Sequence, residues 1–197
     1  MFKIKNFKFA NFLFPSFLVL ICLFLSWRNY TPGTYLLGWD SLHSEFNFSL
    51  AFRRAFLGVW RPDQGMGVVT VHSHMADLPR IIILWLSSLV LPTNFLRYGF
   101  IFLCLILGPL GTYFFLKYVF QREKDGWIVN LASFLGAAFY LLNLGTLQHF
   151  FVPFEMFNVQ YAFLPWLFLF VLKYLREGKK KNLLVLAILS FLTAPMA

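Results

Sequence analysis

Long apolar stretches occupy most of this chain, and one polar segment, Arg28 to Arg80, interrupts them. A helix that crosses a hydrocarbon layer of about 30 Å needs about 20 mostly apolar residues, each adding about 1.5 Å. Four stretches have that length: about 10–27, 98–118, 127–146 and 157–175. A fifth, 183–197, is still apolar where the chain stops, so it is expected to be a truncated span and the chain a fragment. The run 81–92, IIILWLSSLVLP, is short for a span and better suited to the membrane surface. No fixed-period repeat and no Ser/Gly linker divides the sequence, so 1–197 is expected to be a single membrane domain.

Charge supports this choice of spans. With 81–92 on the surface, all nine lysines fall on one side: Lys3, Lys5 and Lys8, then Lys117 and Lys124, then Lys173 and Lys179 to Lys181. The other side carries only arginines among its strong bases: Arg28, Arg53, Arg54, Arg61, Arg80 and Arg97. Basic loops prefer the cytoplasmic side, so the lysine side is read as inside and the N-terminus as cytoplasmic. The first helix has a basic start like a signal peptide, but Ser26-Trp27-Arg28 offers no small-x-small cleavage site. The expected fold class is therefore an all-α polytopic membrane protein of the plasma membrane. It has about five transmembrane helices, the last truncated, and an outer loop, 28–97, bearing surface helices at about 44–58 and 79–92.

Within that loop, Thr31-Pro32-Gly33-Thr34 can turn the chain back toward the membrane. The segment from Ser44 has amphipathic spacing, with Phe46, Leu50 and Leu57 toward lipid and Arg53 and Arg54 toward polar groups. Ser44 is the expected N-cap and Gly58 the stop. Trp60 to Gly67 is a loop by its Pro and Gly content, and Val68 to His74 is expected to be extended.

Composition agrees with the membrane reading. The chain is 59% hydrophobic, 21% aromatic and 13% charged, with mean hydropathy +0.69, which a soluble domain of 197 residues could not bury. Its net charge of +9 marks a membrane side and not a nucleic-acid partner. The run Arg176 to Asn182 is read as a basic turn that anchors topology and attracts anionic lipid. Cys22 and Cys104 lie in apolar runs and are read as buried thiols, not a disulfide.

The polar chemistry collects on the arginine side. All four histidines fall there, with Asp40, Glu45, Asp63, Asp77 and Glu155. Asp40 lies just past the exit of the first helix, in Gly38-Trp39-Asp40. Glu155 occupies the short turn between the third and fourth spans, as an interfacial carboxylate or as a partner for Asp40 in a metal site or substrate clamp. His43, His72 and His74 are weak candidates to hold a divalent metal with Asp40 or Glu45, since their spacing alone is unspecific. No cofactor is otherwise implied. His149, near Glu155, is a candidate for an acceptor site.

The sequence Gly38-Trp39-Asp40, then Phe52 to Pro62 with its Trp60-Arg61-Pro62, then Gly65-Met66-Gly67 and Leu78-Pro79, resembles bacterial arabinofuranosyltransferase-like proteins. These belong to the GT-C superfamily of membrane glycosyltransferases, whose donors are polyprenyl-phosphate sugars. The similarity covers about residues 10–175 and is one of placement more than of signature. It implies an inverting transfer to a glycan, lipid or protein acceptor of the cell envelope. The family's first-loop acid falls on Asp40, implying a general base or acceptor-positioning group. Its second-loop acid falls on Glu155, where some members have Asp-x-Asp. This chain has Glu155-Met156-Phe157, which weakens the case for a metal.

A lipid-borne donor keeps its sugar phosphate at the interface, where a carboxylate can act as base and guanidinium forks can meet the phosphate. Arg53, Arg54, Arg61 and Arg80 are the available forks, with Glu45 beside them as a further substrate-binding candidate. Two other classes share the composition: a transporter or flippase, and a non-catalytic membrane scaffold. A transporter needs ionisable groups near the midplane, and the central parts of the four predicted spans carry none.

Overall fold

The computed structural model describes residues 7–38, 43–58, 60–61, 65–69, 75–121 and 126–194. Helix α1, Phe7–Asn29, runs from the lysine-bearing end of the molecule to the arginine-bearing end. After it the chain turns at Pro32-Gly33, where Gly33 takes φ 76°, and Thr34 binds the Tyr98 hydroxyl at 3.0 Å. A short 3-10 turn, Ser44–Phe46, leads into α2, Phe48–Leu57. Two-residue strands β1, Trp60–Arg61, and β2, Val68–Val69, pair antiparallel with Trp60 opposite Val69. Helix α3, Leu78–Ser87, precedes the long α4, Thr93–Val119. Then follow α5, Gly126–Leu142, α6, Leu144–Phe151, α7, Glu155–Glu177, and α8, Lys180–Leu192.

Helix α4 is the hub, packed most extensively against α7, then α5, then α1. Leu96, Phe100, Ile101 and Cys104 of α4 meet Val159 and Ala162 of α7 and Leu84 of α3 in one core cluster. Gly108 makes the α4–α7 approach close, because a Cβ there would overlap the Tyr161 ring. Trp166 of α7 adds an indole N–H bond to the Leu107 carbonyl at 3.0 Å. A second cluster joins Phe14 and Leu18 of α1 to Tyr113 and Ala137. Cys22 and Cys104 are buried free thiols, as expected.

Three helical stretches are long and apolar enough to cross a membrane: Asn11–Asn29, Thr93–Val119 and Glu155–Glu177. The third expected span, 127–146, is broken at Asn143, and its two halves bend by 46°; counted as one, they make a fourth. The break has a local cause. The Asn143 side chain caps α6 by accepting from the Thr146 N–H at 3.0 Å. Its amide also donates to the Phe139 and Tyr140 carbonyls at 3.1 and 2.9 Å, which satisfies the end of α5. The expected fifth span is a helix of 13 residues, short of a crossing. The outward faces of the spans carry large apolar side chains such as Phe12, Leu20, Leu135 and Phe139, as helices facing lipid do.

The surface helices differ from expectation in their bounds. Ser44 does not cap the first. Asn47 does, with non-helical backbone (φ −156°) and a side chain accepting from the Leu50 N–H at 2.9 Å, so 44–47 is split off as a 3-10 turn. Gly58 ends α2 as expected. The second, expected at 79–92, ends at Ser87, with Pro92 at the N-cap of α4. Of the expected extended run, Val68 and Val69 form β2, and 70–74 lies outside the described residues. Among the described residues the chain is thus all-α apart from this small hairpin.

A candidate site where three elements and two loops meet

At the arginine end the starts of α3, α4 and α7 converge with Leu36, His43 and Glu45. Asp77 takes the N-cap position of α3 and Pro79 a position in its first turn, where a missing N–H costs nothing. The Asp77 carboxylate does not cap its own helix. It turns to Arg80, three residues on, and accepts from Nε and Nη2 at 2.6 Å each, a two-pronged fork. Arg80 Nη1 reaches on to Glu155 Oε1 at 3.3 Å.

Glu155 lies in the first turn of α7, where the helix dipole favours an acid. Its Oε1 also accepts from Arg97 Nη2 of α4. Arg97 in turn places Nε 3.6 Å from Glu45 Oε1 and Nη1 3.4 Å from the Leu36 carbonyl. The same Nη1 is 2.9 and 3.2 Å from the two ring nitrogens of His43, whose Nδ1 is 3.2 Å from Glu45. An arginine only donates, so whichever His43 ring nitrogen Arg97 meets is the acceptor. His43 also stacks on Phe46 with ring centroids 5.5 Å apart.

Five charged residues are buried together here: Glu45, Asp77, Arg80, Arg97 and Glu155, each at most 7% exposed. Burial pushes the Asp77 carboxyl above its ordinary value, and the Arg80 guanidinium pulls against that without cancelling it. For Arg80, burial works against the charge, yet Asp77, Glu155 and Glu45 outweigh it and hold the guanidinium firmly protonated. Glu45 Oε2 is buried without a hydrogen-bond partner among the described residues.

The sequence candidates divide as follows. Glu45, Arg80, Glu155 and His43 come together. Arg54 is half-buried beside them, lining a small cavity with His43, Ser44 and Asp77. Arg53 is exposed on α2, and Arg61 lies in β1. Among the described residues His149 joins neither cluster nor ion pair; its ring stacks on Phe157 at 5.1 Å. Asp40, His72 and His74 lie outside the described residues. Among the described residues no three His, Cys, Asp or Glu side chains are arranged to hold a metal ion. Glu155 was expected to see water or to partner Asp40. Its observed partners are two arginines.

Two members of the cluster were not singled out as site residues: Asp77 and Arg97. Asp77 had a signal, the i,i+3 spacing to Arg80 that brings helical side chains together. Arg97 stood one residue outside the expected span. Because α4 begins at Thr93, Arg97 is carried into its second turn and turned inward.

Beside the cluster an apolar groove of about 520 Å³ runs between α1, α3 and α4, lined by Trp27, Ile83, Leu91, Phe95 and Phe102. Compared with models of protein families, with curated proteins and with solved structures, the chain matches none.

Proposed function

We propose that this chain is part of a membrane glycosyltransferase of the GT-C type, moving a sugar from a polyprenyl-phosphate donor to an acceptor at the outer face. The observation that supports it best is the buried set of three carboxylates and two guanidiniums where the starts of α3, α4 and α7 meet. Buried charges at a membrane boundary are expensive, and such residues mark function more often than packing. In this reading the lysine end faces the cytoplasm across the plasma membrane and the arginine end faces outward. The apolar groove beside the cluster suits the hydrocarbon part of a lipid-borne donor.

The transfer needs few groups. A carboxylate, for which Asp40 is the candidate, takes the proton from the acceptor hydroxyl. The hydroxyl oxygen attacks the anomeric carbon from the face opposite the phosphate, and the carbon–oxygen bond to phosphate breaks. Polyprenyl phosphate leaves with the bonding electrons, and fixed cations stabilise its growing charge. Glu155, tied to both Arg80 and Arg97, acts here as a positioning residue, holding these guanidiniums rather than moving a proton. The test is Asp40→Asn with transfer from a polyprenyl-phosphate sugar as readout. A loss of about a hundredfold or more is expected for removal of a general base. Undiminished transfer would remove Asp40 from that role.

One observation favours a second reading, a non-catalytic scaffold. Asp77 already occupies two donors of Arg80, as a purely structural clamp would. That reading predicts that Asp40→Asn has no functional effect while Glu155→Gln still lowers stability.

A further inference from the structure

We infer that the small cavity between the 3-10 turn, α2 and the start of α3 is a binding site for a single oxyanion of phosphate type. The cavity holds about 80 Å³ and is lined by His43, Ser44, Asn47, Arg54, Asp77 and the apolar Leu50, Ala51 and Ile81. It has room for one tetrahedral anion or a few waters and not for a sugar ring.

Its lining is biased toward donors. Ser44 is 94% buried (6% exposed), and its hydroxyl has no hydrogen-bond partner among the described residues. Leaving a buried hydroxyl without a partner is costly, and a bound acceptor would recover that cost. Arg54, half-buried, is in no ion pair among the described residues, so its guanidinium remains available. Asn47 spends its Oδ1 on the Leu50 N–H, which leaves its amide N–H groups for a ligand. The N-terminus of α2 starts at the same place and favours negative charge. Asp77 is the one anionic neighbour, and both of its oxygens are already held by Arg80. A cationic ligand would have to displace Arg80 to use Asp77 and would face Arg54. An oxyanion needs neither change.

The biological source rests on the transferase reading, in which the anion is the phosphate of a lipid-borne substrate. The chemistry of the site can be tested apart from transfer. The full chain in detergent is titrated with inorganic phosphate, a short prenyl phosphate and the matching neutral prenol. Binding is read by ³¹P NMR line broadening for the two phosphates, and by calorimetry and competition for all three ligands. Arg54→Gln is expected to weaken binding of the phosphate ester about tenfold or more, and Ser44→Ala several-fold. Ser44→Ala removes no observed contact, so it reports on the site even if the arginine variant fails to fold. Lys181→Gln, at the opposite end, controls for general charge attraction.

Prenyl phosphate binding without inorganic phosphate binding assigns the site to a lipid headgroup. Equal binding of the two assigns it to free phosphate. Either result supports an oxyanion site. Unchanged binding in both Arg54→Gln and Ser44→Ala, equal binding of the neutral prenol, or an equal loss in Lys181→Gln would overturn it. Phosphate binding by this chain, with no sugar transfer by the full-length protein of which it is proposed to be part, would sink the transferase reading and leave the oxyanion site standing.

Discussion

At the lysine end, Asn11 of α1, Tyr113 and Lys117 of α4 and Asn130 of α5 meet in a small network. Lys117 Nζ and Asn130 Nδ2 both donate to Asn11 Oδ1, at 2.7 and 3.3 Å, Asn130 Nδ2 also reaches the Gly126 carbonyl at 2.6 Å, and Tyr113 donates to Asn130. At the arginine end, helices are joined instead through full charges, with Arg80 and Arg97 sharing Glu155. The two ends solve the same problem, tying helix termini together, at different cost. Neutral amides, a phenol and one half-buried ammonium, Lys117, need only modest desolvation when every partner is present. Three buried carboxylates and two guanidiniums need far more, and well-packed apolar residues could hold the helices as well or better. The lysine-end network suffices for structure. The arginine end keeps an expense that structure alone does not require, which is why a function is sought there.

That contrast makes quantitative demands. The largest effect is expected for Glu155→Ala, which leaves Arg80 and Arg97 without their shared carboxylate. A loss of about 3–5 kcal/mol is expected in unfolding free energy measured in detergent. Replacing Arg97 and Glu45 as well, in Glu155→Met with Arg97→Met and Glu45→Gln, removes the stranded charges while Arg80 retains Asp77. The triple variant is expected to recover most of that loss. A triple variant as unstable as Glu155→Ala would argue that the charges themselves hold the end together.

In the packed centre between the ends, Gly108→Val puts a side chain into the Tyr161 ring, and overpacking of this kind costs about 1–3 kcal/mol. At the lysine end, Asn130→Ala breaks bonds to Asn11, Tyr113 and Gly126 but strands no full charge within the network core. A smaller loss of about 1–2 kcal/mol is expected by the same unfolding measurement, with transfer retained. If Asn130→Ala were as damaging as Glu155→Ala, the distinction between the ends would fail. The smallest effect is expected for Lys181→Gln, an exposed cation on α8, at within about 0.5 kcal/mol.

Much of the helix order was legible in the sequence, because apolar runs report burial in lipid or core without needing a partner. The bounds were less so. Asn143 reads as one polar residue inside an apolar stretch, yet its side chain caps one helix and ends another. Asn47 likewise takes the cap expected of Ser44, a choice made by its side-chain bond to the Leu50 N–H, which composition does not weigh. At the site, the candidates Glu45, Arg80 and Glu155 were chosen for their membrane side and do converge. Asp77 and Arg97 were passed over because their importance lies in what they touch. An arginine at a span edge can reach water or lipid phosphate as easily as a buried carboxylate, and only the packing of α3 and α7 against α4 excludes the first two.

Sequence by itself determined that the chain is helical and apolar, and it led to the expectation that all nine lysines share one side while six of the eight arginines and five of the eight acids share the other. These follow from solvation, a property each residue carries with it. Tertiary structure decided which charges pair: that Glu155, 58 positions beyond Arg97, serves two guanidiniums at once, and that Ser44 and Arg54 face one cavity without partners of their own. Pairing depends on distances of a few ångströms between segments remote in the chain, and the hydrophobic pattern constrains those distances only through the way the helices pack. The acid at the membrane exit, Asp40, draws attention by its position in the sequence. The folded arrangement draws it instead to the buried ion pairs of Arg80 and Arg97 with Glu155.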